Sequence, residues 1–474
     1  METLADNIRE IALKDYKAGK EAFVINNTTP SVFECVSVIY MCLPYYVLYQ
    51  YVFNLCIQKN WKIFEKTTFA RTMLFLIDCV FFIMTSILSQ VLPQWHIILA
   101  SIAVILSFII SEYLRRNPVN PDARLYVNQN KDFPDCSPND KVKTYFTMFR
   151  GNVMVLTVIA IMAVDFPIFP RRFAKTLEFG NSLMDMGVGI FVINSGMVAR
   201  QIRSNKHGLK TILNALSSVS PLIILGVARF IMVLLTGYQH IVTEYGVHWN
   251  FFFTLAAVAI FSAIFAGVMT TNVRIVAFMI ISMGIYQFWL LNGGTEYLLS
   301  DVRTSYFDMN KEGIMSCIGY FAIYSGGILI GKAFLKERTT SQWNSFIKKY
   351  MLVMVFLWVL SSLVSTYVQL PSRRIANTAY VLLCMACGGT CVGIGLYIHL
   401  KLIYIYVPVI YQSINYNQLL IFLVANIMTG LINFTFKTLF LSSTESFIVL
   451  TLYTLSIVLL GYVLYYKNIK VKFW

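Results

Sequence analysis

Charge is scarce in this sequence. Asp, Glu, Lys and Arg make up 13 % of its 474 residues, against 57 % hydrophobic residues. Uncharged apolar runs of about 20 residues recur from one end to the other, the length a helix needs to cross a hydrocarbon core. That pattern excludes an ordinary water-soluble domain and implies an all-α polytopic membrane protein. Acidic residues are scarcer than basic ones, 23 against 38. The excess positive charge calls for no nucleic acid, since juxtamembrane Lys and Arg facing anionic lipid account for it. No Arg-rich or Ser-rich transit segment precedes the first span, and Met1 to Ser31 lacks the short apolar core of a cleaved signal, so span one is expected to target the chain. Most of the nine cysteines lie within apolar runs, where a thiol acts as a small hydrophobe. Cys384-Met-Ala-Cys387 has metal-knuckle spacing but no second pair or His cluster, so neither a disulfide framework nor a metal site is indicated. No internal repeat stands out.

The apolar runs predict roughly 13 transmembrane helices in a single membrane domain over 33–466, with an amino-terminal tail over 1–32 and a carboxyl-terminal tail over 467–474. An odd number places the two termini on opposite sides. The loops divide into one set carrying roughly 23 cations and another carrying roughly 12, and the richer side is expected to be cytosolic. The amino terminus is then lumenal and the carboxyl terminus cytosolic. Overlapping acceptor tripeptides at Asn26 and Asn27 are candidate glycosylation sites on the lumenal side. The apolar stretch from Leu402 to Tyr411 either extends span eleven or lies re-entrant.

On this topology the unusual polar residues gather at the lumenal end. The uncharged run Val153 to Val164 stops at Asp165-Phe-Pro-Ile-Phe-Pro-Arg171-Arg172-Phe-Ala-Lys175, where the two prolines end any helix and are expected to hold the backbone extended. Asn181 and Asp185 follow one helical turn apart. The loop holding His240, Glu244, His248 and Asn250 is rich in groups that donate, accept or titrate. Asn426, Thr429, Asn433 and Lys437 form a polar stripe at helical spacing. Each feature has an ordinary alternative: headgroup anchoring for Arg171 and Arg172, a helix-end ion pair for Asp165, interhelical hydrogen bonding for the asparagines, and a hydrogen-bonded structural role for His399. Their convergence at one face favours a site. A carboxylate that accepts a proton, near a lysine that stabilises developing negative charge, suits direct acyl transfer to a hydroxyl, because no Ser or Cys nucleophile has a base beside it. The arginine pair suits a phosphate. The same parts would also serve a lipid or solute transporter.

The Asp165 to Lys175 loop, continuing through Asn181-Ser-Leu-Met-Asp185-Met-Gly-Val-Gly189, resembles the signature of the glucosaminyl-phosphatidylinositol inositol acyltransferases, the family of PIG-W and its fungal counterparts. Further blocks resemble that family in the same order: Glu244-Tyr-Gly-Val-His248-Trp249-Asn250, Asn310-Lys-Glu-Gly313, Ser372-Arg-Arg-Ile-Ala-Asn377 and Asn426 to Asn433, with a shorter echo in Lys20-Glu-Ala-Phe-Val24. The segment Asn26-Asn-Thr-Thr-Pro30 lacks the glycine expected after that echo. The resemblance implies a multispanning endoplasmic reticulum enzyme that moves a fatty acyl chain, usually palmitoyl, from acyl-CoA to the inositol ring of glucosaminyl-phosphatidylinositol. It needs no cofactor beyond acyl-CoA as co-substrate. Asp165 and Lys175 become the candidate catalytic pair, with Arg171, Arg172, Asn181, Asp185, His248, Asn250, Asn426 and Asn433 as candidate substrate contacts. Acyl-CoA is made in the cytosol, so its thioester is expected to reach Asp165 from among the spans. A membrane-bound O-acyltransferase of another family is the closer rival, with His399 as its intramembrane histidine.

Overall fold

The computed structural model describes residues 10–25, 29–59, 68–117, 137–199, 209–236, 242–402 and 405–471. Among these, 11 helices are long and apolar enough to cross a membrane, and two shorter apolar helices, Leu183–Met197 and Phe251–Gly267, run alongside them. The roughly 13 spans expected from the sequence thus appear as 11 helices of crossing length and two shorter apolar ones.

After a peripheral helix α1 (Tyr16–Ile25), the first pass is made by α2 (Val32–Tyr40) and α3 (Cys42–Gln58). The second is α4 (Thr68–Asp78), a π-helical turn (Cys79–Met84) and α5 (Thr85–Val91). Then come α6 (Pro93–Arg116), α7 (Pro138–Ala163), α8 (Leu183–Met197), α9 (Leu209–Thr236), the short α10 (Val242–Tyr245), α11 (Phe251–Ile264) and α12 (Asn272–Trp289) with its extension α13 (Thr295–Leu299). The chain closes with α14 (Lys311–Leu335), α15 (Thr340–Tyr367), α16 (Thr378–Lys401), the short α17 (Val409–Tyr416), α18 (Gln418–Thr435) and α19 (Ser443–Tyr466). The stretch after Leu402 does not extend span eleven. α16 ends at Lys401, and the buried Ile405, Tyr406 and Val407 lead into the separate α17.

Side-chain caps start many of these helices and fix where loops begin. Ser31, Ser182, Asn250 and Asn377 each accept a backbone N–H from the first turn of the helix that follows, and Ser442 with Glu445 forms a full capping box. α7, α8, α14 and α16 form the centre. α8 and α14 meet with backbones nearly touching: a Cβ on Gly196 would overlap the carbonyl oxygen of Tyr324, and one on Gly327 that of Ile193. Small residues at a helix crossing permit that approach. α6, α9 and α15 lie outside, presenting side chains such as Phe108, Leu235 and Leu352 outward, as lipid-facing helices do.

Two sets of contacts define the ends of the bundle. At one end Asn139 accepts from Arg338 and Trp343, Lys141 donates to the Leu402 carbonyl, and Asn417 donates to that of Ile469. At the other, the loops before α2, α8, α11, α14 and α16 meet: Asn181 Nδ2 donates to the Pro30 carbonyl, Gly180 N to that of Pro371, and Val247 N to that of Met309. The cations Arg171, Arg172, Lys175, Arg303, Lys311, Arg373 and Arg374, assigned to a single side by loop charge, all lie at this second end.

Candidate functional site

The loop after α7 carries the centre of the site. Its prolines end the helix as expected, but the backbone is not extended. Asp165 N bonds to the Met162 carbonyl, Phe169 N to that of Phe166, and Arg171–Phe173 close a 3-10 turn. Phe166, Phe169 and Phe173, spaced three and four apart, are completely buried, and this turning path puts all three rings into the core. With the aromatics pointing in, the charged side chains line the end of the bundle.

Asp165 accepts from Asn433 Nδ2 at 2.8 Å on one oxygen and from Lys20 Nζ at 3.4 Å on the other. Its side chain keeps 19 % of its surface exposed, enough for a hydroxyl to approach. Arg171 lies beside it, donating from Nη1 to the Val164 carbonyl at 2.7 Å and stacking over the Phe23 ring at 3.9 Å. Its Nε and Nη2 are buried and have no protein partner among the described residues. Burial lowers the Arg171 pKa to about 10, against the opposing pull of Asp165, and the group stays charged at neutral pH. Arg172 pairs with Glu34 at 2.7 Å, joining this loop to the start of α2.

Lys175 belongs to a neighbouring cluster. No hydrogen bond or ion pair joins it to Asp165 among the described residues; its Nζ lies 2.7 Å from Glu244. Glu244 also pairs with Arg373 at 3.2 Å, and Arg373 Nε donates to Asp185 at 2.7 Å. Burial pushes Glu244 up, but Lys175 and Arg373 outweigh it and hold the carboxyl at about 2. Beyond Arg373, its neighbour Arg374 pairs with the buried Glu312 at 2.9 Å, which also takes Arg303.

The remaining expected contacts divide into groups that face the site and groups that hold it. Asp185 is 1 % exposed and accepts from Thr176, Ser182 and Arg373, so its oxygens are committed to the protein. It does not share a helix face with Asn181, because Ser182 caps α8 and leaves Asn181 in the preceding loop. Asn250 caps α11 with its oxygen and donates to the Gly226 carbonyl with its nitrogen, which makes it a buried loop anchor. His248 is half-buried in a loop held by Asn310, whose Oδ1 accepts from the backbone N–H groups of His248 and Trp249. Gly246, at φ +122°, permits that turn, since a Cβ there would meet Asn310 Cα at 2.6 Å. The α18 stripe separates: Asn433 reaches Asp165, Thr429 turns to Tyr453, and Asn426 bonds to the Phe422 carbonyl one turn back. His399, at the opposite end of the bundle, is fully buried with Nδ1 2.8 Å from the Tyr46 hydroxyl. Asn26, Asn27 and His240 lie outside the described residues.

Lys20, Glu34, Glu312, Arg373 and Arg374, which complete the site with Glu244, carried no role in the sequence reading, and Glu244 stood there only as one polar group of its loop. Lys20, Glu244, Glu312 and the two arginines all lie inside the motif blocks quoted above, and that membership was the available signal.

The family profile described as GWT1 matches residues 16–464. The chain is 33 % identical to the phosphatidylinositol-glycan biosynthesis class W protein of Dictyostelium discoideum, over 97 % of this chain and 99 % of that one. It is 31 % identical to the human glucosaminyl-phosphatidylinositol-acyltransferase PIGW, with the same coverage. Against the GPI-anchored wall transfer protein 1 of Saccharomyces cerevisiae it is 36 % identical, over 70 % of this chain and 75 % of the relative.

Proposed function

This chain belongs to the GWT1 family, and from that premise we propose that it is a multispanning acyltransferase of glycosylphosphatidylinositol anchor synthesis, transferring a fatty acyl chain from acyl-CoA to an inositol hydroxyl of glucosaminyl-phosphatidylinositol. The observation that carries the reading is Asp165, a partly exposed carboxylate fixed by Asn433 and Lys20 at the end of the central helix α7, beside an arginine whose Nε and Nη2 have no protein partner among the described residues. Asp165 takes the proton of the inositol hydroxyl as its oxygen attacks the thioester carbonyl. The new C–O bond forms, the C–S bond breaks, and the proton passes to the departing CoA thiolate, restoring the carboxylate. Lys175 uses one donor on Glu244 and has two more for the oxyanion of the tetrahedral intermediate. The Nε and Nη2 of Arg171, without a protein partner among the described residues, suit the phosphodiester of the acceptor. Asn181, His248 and Asn426 line this reading as secondary contacts, while Asp185 and Asn250 hold the loops that present the others.

The reaction is assigned to the endoplasmic reticulum membrane with the Asp165 end lumenal, palmitoyl-CoA as donor, and the acyl chain among the spans. The test is transfer from radiolabelled palmitoyl-CoA to glucosaminyl-phosphatidylinositol in membranes expressing the chain. Asp165→Asn is expected to lower kcat by about 10²–10⁴-fold, the usual contribution of a general base. Retention of more than about a tenth of the activity removes Asp165 as the base.

A further inference from the structure

Helix α1, which precedes the first span, lies across the candidate site and touches it at three points. Tyr16 meets Thr438 through its hydroxyl at 3.4 Å and packs its ring against Phe440. Lys20 Nζ donates to Asn433 Oδ1 at 2.5 Å and to Asp165 Oδ1 at 3.4 Å. Phe23 lies under the Arg171 guanidinium at 3.9 Å. Residues 16, 20 and 23, at spacings of four and three, share one helix face, so a single face of α1 engages both loops that present Asp165 and Asn433.

The three polar side chains at the centre close a ring. Lys20 donates to the Asn433 oxygen, the Asn433 nitrogen donates to one Asp165 oxygen, and Lys20 donates to the other. Each bond fixes the next, and the amide of Asn433 can face only one way. The Lys20 side chain is 11 % exposed, and Asp165 is the only carboxylate within ion-pair distance among the described residues. An ammonium so far removed from water requires that partner. Lys175, the cation that the sequence motif offers, pairs with Glu244 instead of Asp165 among the described residues.

We propose that Lys20 is a positioning residue for Asp165, making α1 part of the active site; this rests on the reading of Asp165 as the base. Through Asn433 and its own ammonium, Lys20 holds both carboxylate oxygens so that the hydroxyl meets an oriented base. Misplacing such a base by about 1 Å can cost about 10²-fold in rate.

The full-length chain, purified in detergent, is assayed with palmitoyl-CoA and glucosaminyl-phosphatidylinositol as Lys20→Met, Lys20→Arg, Asn433→Ala and the Lys20→Met/Asn433→Ala double variant. Lys20→Met is expected to lower kcat by about 10–100-fold with both KM values within about threefold, and Lys20→Arg to recover most of the loss. The double variant is expected to be no worse than the weaker single variant, because the residues act as one unit. A Lys20→Met enzyme with kcat within about twofold of the unmodified chain, or one changed only in KM, overturns the proposal. Should Lys20→Met not accumulate, Lys20→Gln, which retains a donor for Asn433 without the charge, replaces it under the same criteria. If Asp165→Asn is inactive while Lys20→Met is fully active, only the role of Lys20 fails. If Asp165→Asn is active, the reading of Asp165 fails and takes this proposal with it.

Discussion

At the residue scale the end of the bundle is organised by paired charges, and Arg373 is the most heavily used of them. It joins Asp185 under α8 to Glu244 in the α10 loop, and through Glu244 it holds Lys175. Removing one member of a buried pair leaves the others without compensation, at about 3–5 kcal/mol. Because the Glu244 carboxyl is held at about 2 against an ordinary 4.5, the stability it contributes is complete above pH 4.5 and is lost as the pH falls through its folded value. Glu244→Gln is therefore expected to lower stability by about 1–3 kcal/mol at neutral pH. Thermal unfolding in detergent should show the gap between variant and unmodified chain narrowing as the pH falls below 4.5. A gap independent of pH would show that the carboxylate charge does not contribute.

At the element scale the site depends on how closely α8 approaches α14. Asp185 rises from the first turn of α8, Glu312 from that of α14, and the Arg373-Arg374 turn bridges them. The approach is set about three to four turns deeper, where Gly196 and Gly327 bring the backbones together. Gly327→Val has no room for its side chain and is expected to destabilise the packing by about 1–3 kcal/mol or more, as overpacking does, seen as a lower melting temperature and early loss of a monodisperse peak in detergent. Gly267, around which a Cβ meets nothing, should accept Ala without that loss. The aromatics after α7 show where sequence reasoning at this scale fell short. Prolines alone read as extended chain, whereas the spacing of Phe166, Phe169 and Phe173 already had the helical period that the core required.

At the scale of the whole molecule the described passes alternate between two ends, with α1 at one and the residues after α19 at the other. The proposed orientation puts the α1 end in the lumen. Acceptor tripeptides placed in the loop between α13 and α14 at 300–310 are expected to be glycosylated, and ones placed at 336–339, between α14 and α15, are not; the shift in mass on glycosidase treatment reads the result. The opposite pattern would invert the topology while leaving the clustering at one end intact.

The number of apolar passes, the division of cations between two sets of loops and the blocks shared with the family were determined by the sequence, because hydrophobic run length, loop charge and local motifs are each written in contiguous residues. Asp165 was legible as a site residue for the same reason: a carboxylate at the end of an uncharged run is unusual in any fold. Its partners were not. Lys20 and Asn433 lie 145 and 268 residues away, and Lys175, ten residues on, bonds elsewhere. Only the packing of α1, α7 and α18 at one end of the bundle could decide which cation meets which carboxylate. Pairing depends on distances of a few ångströms between segments whose separation along the chain carries no information about their separation in space.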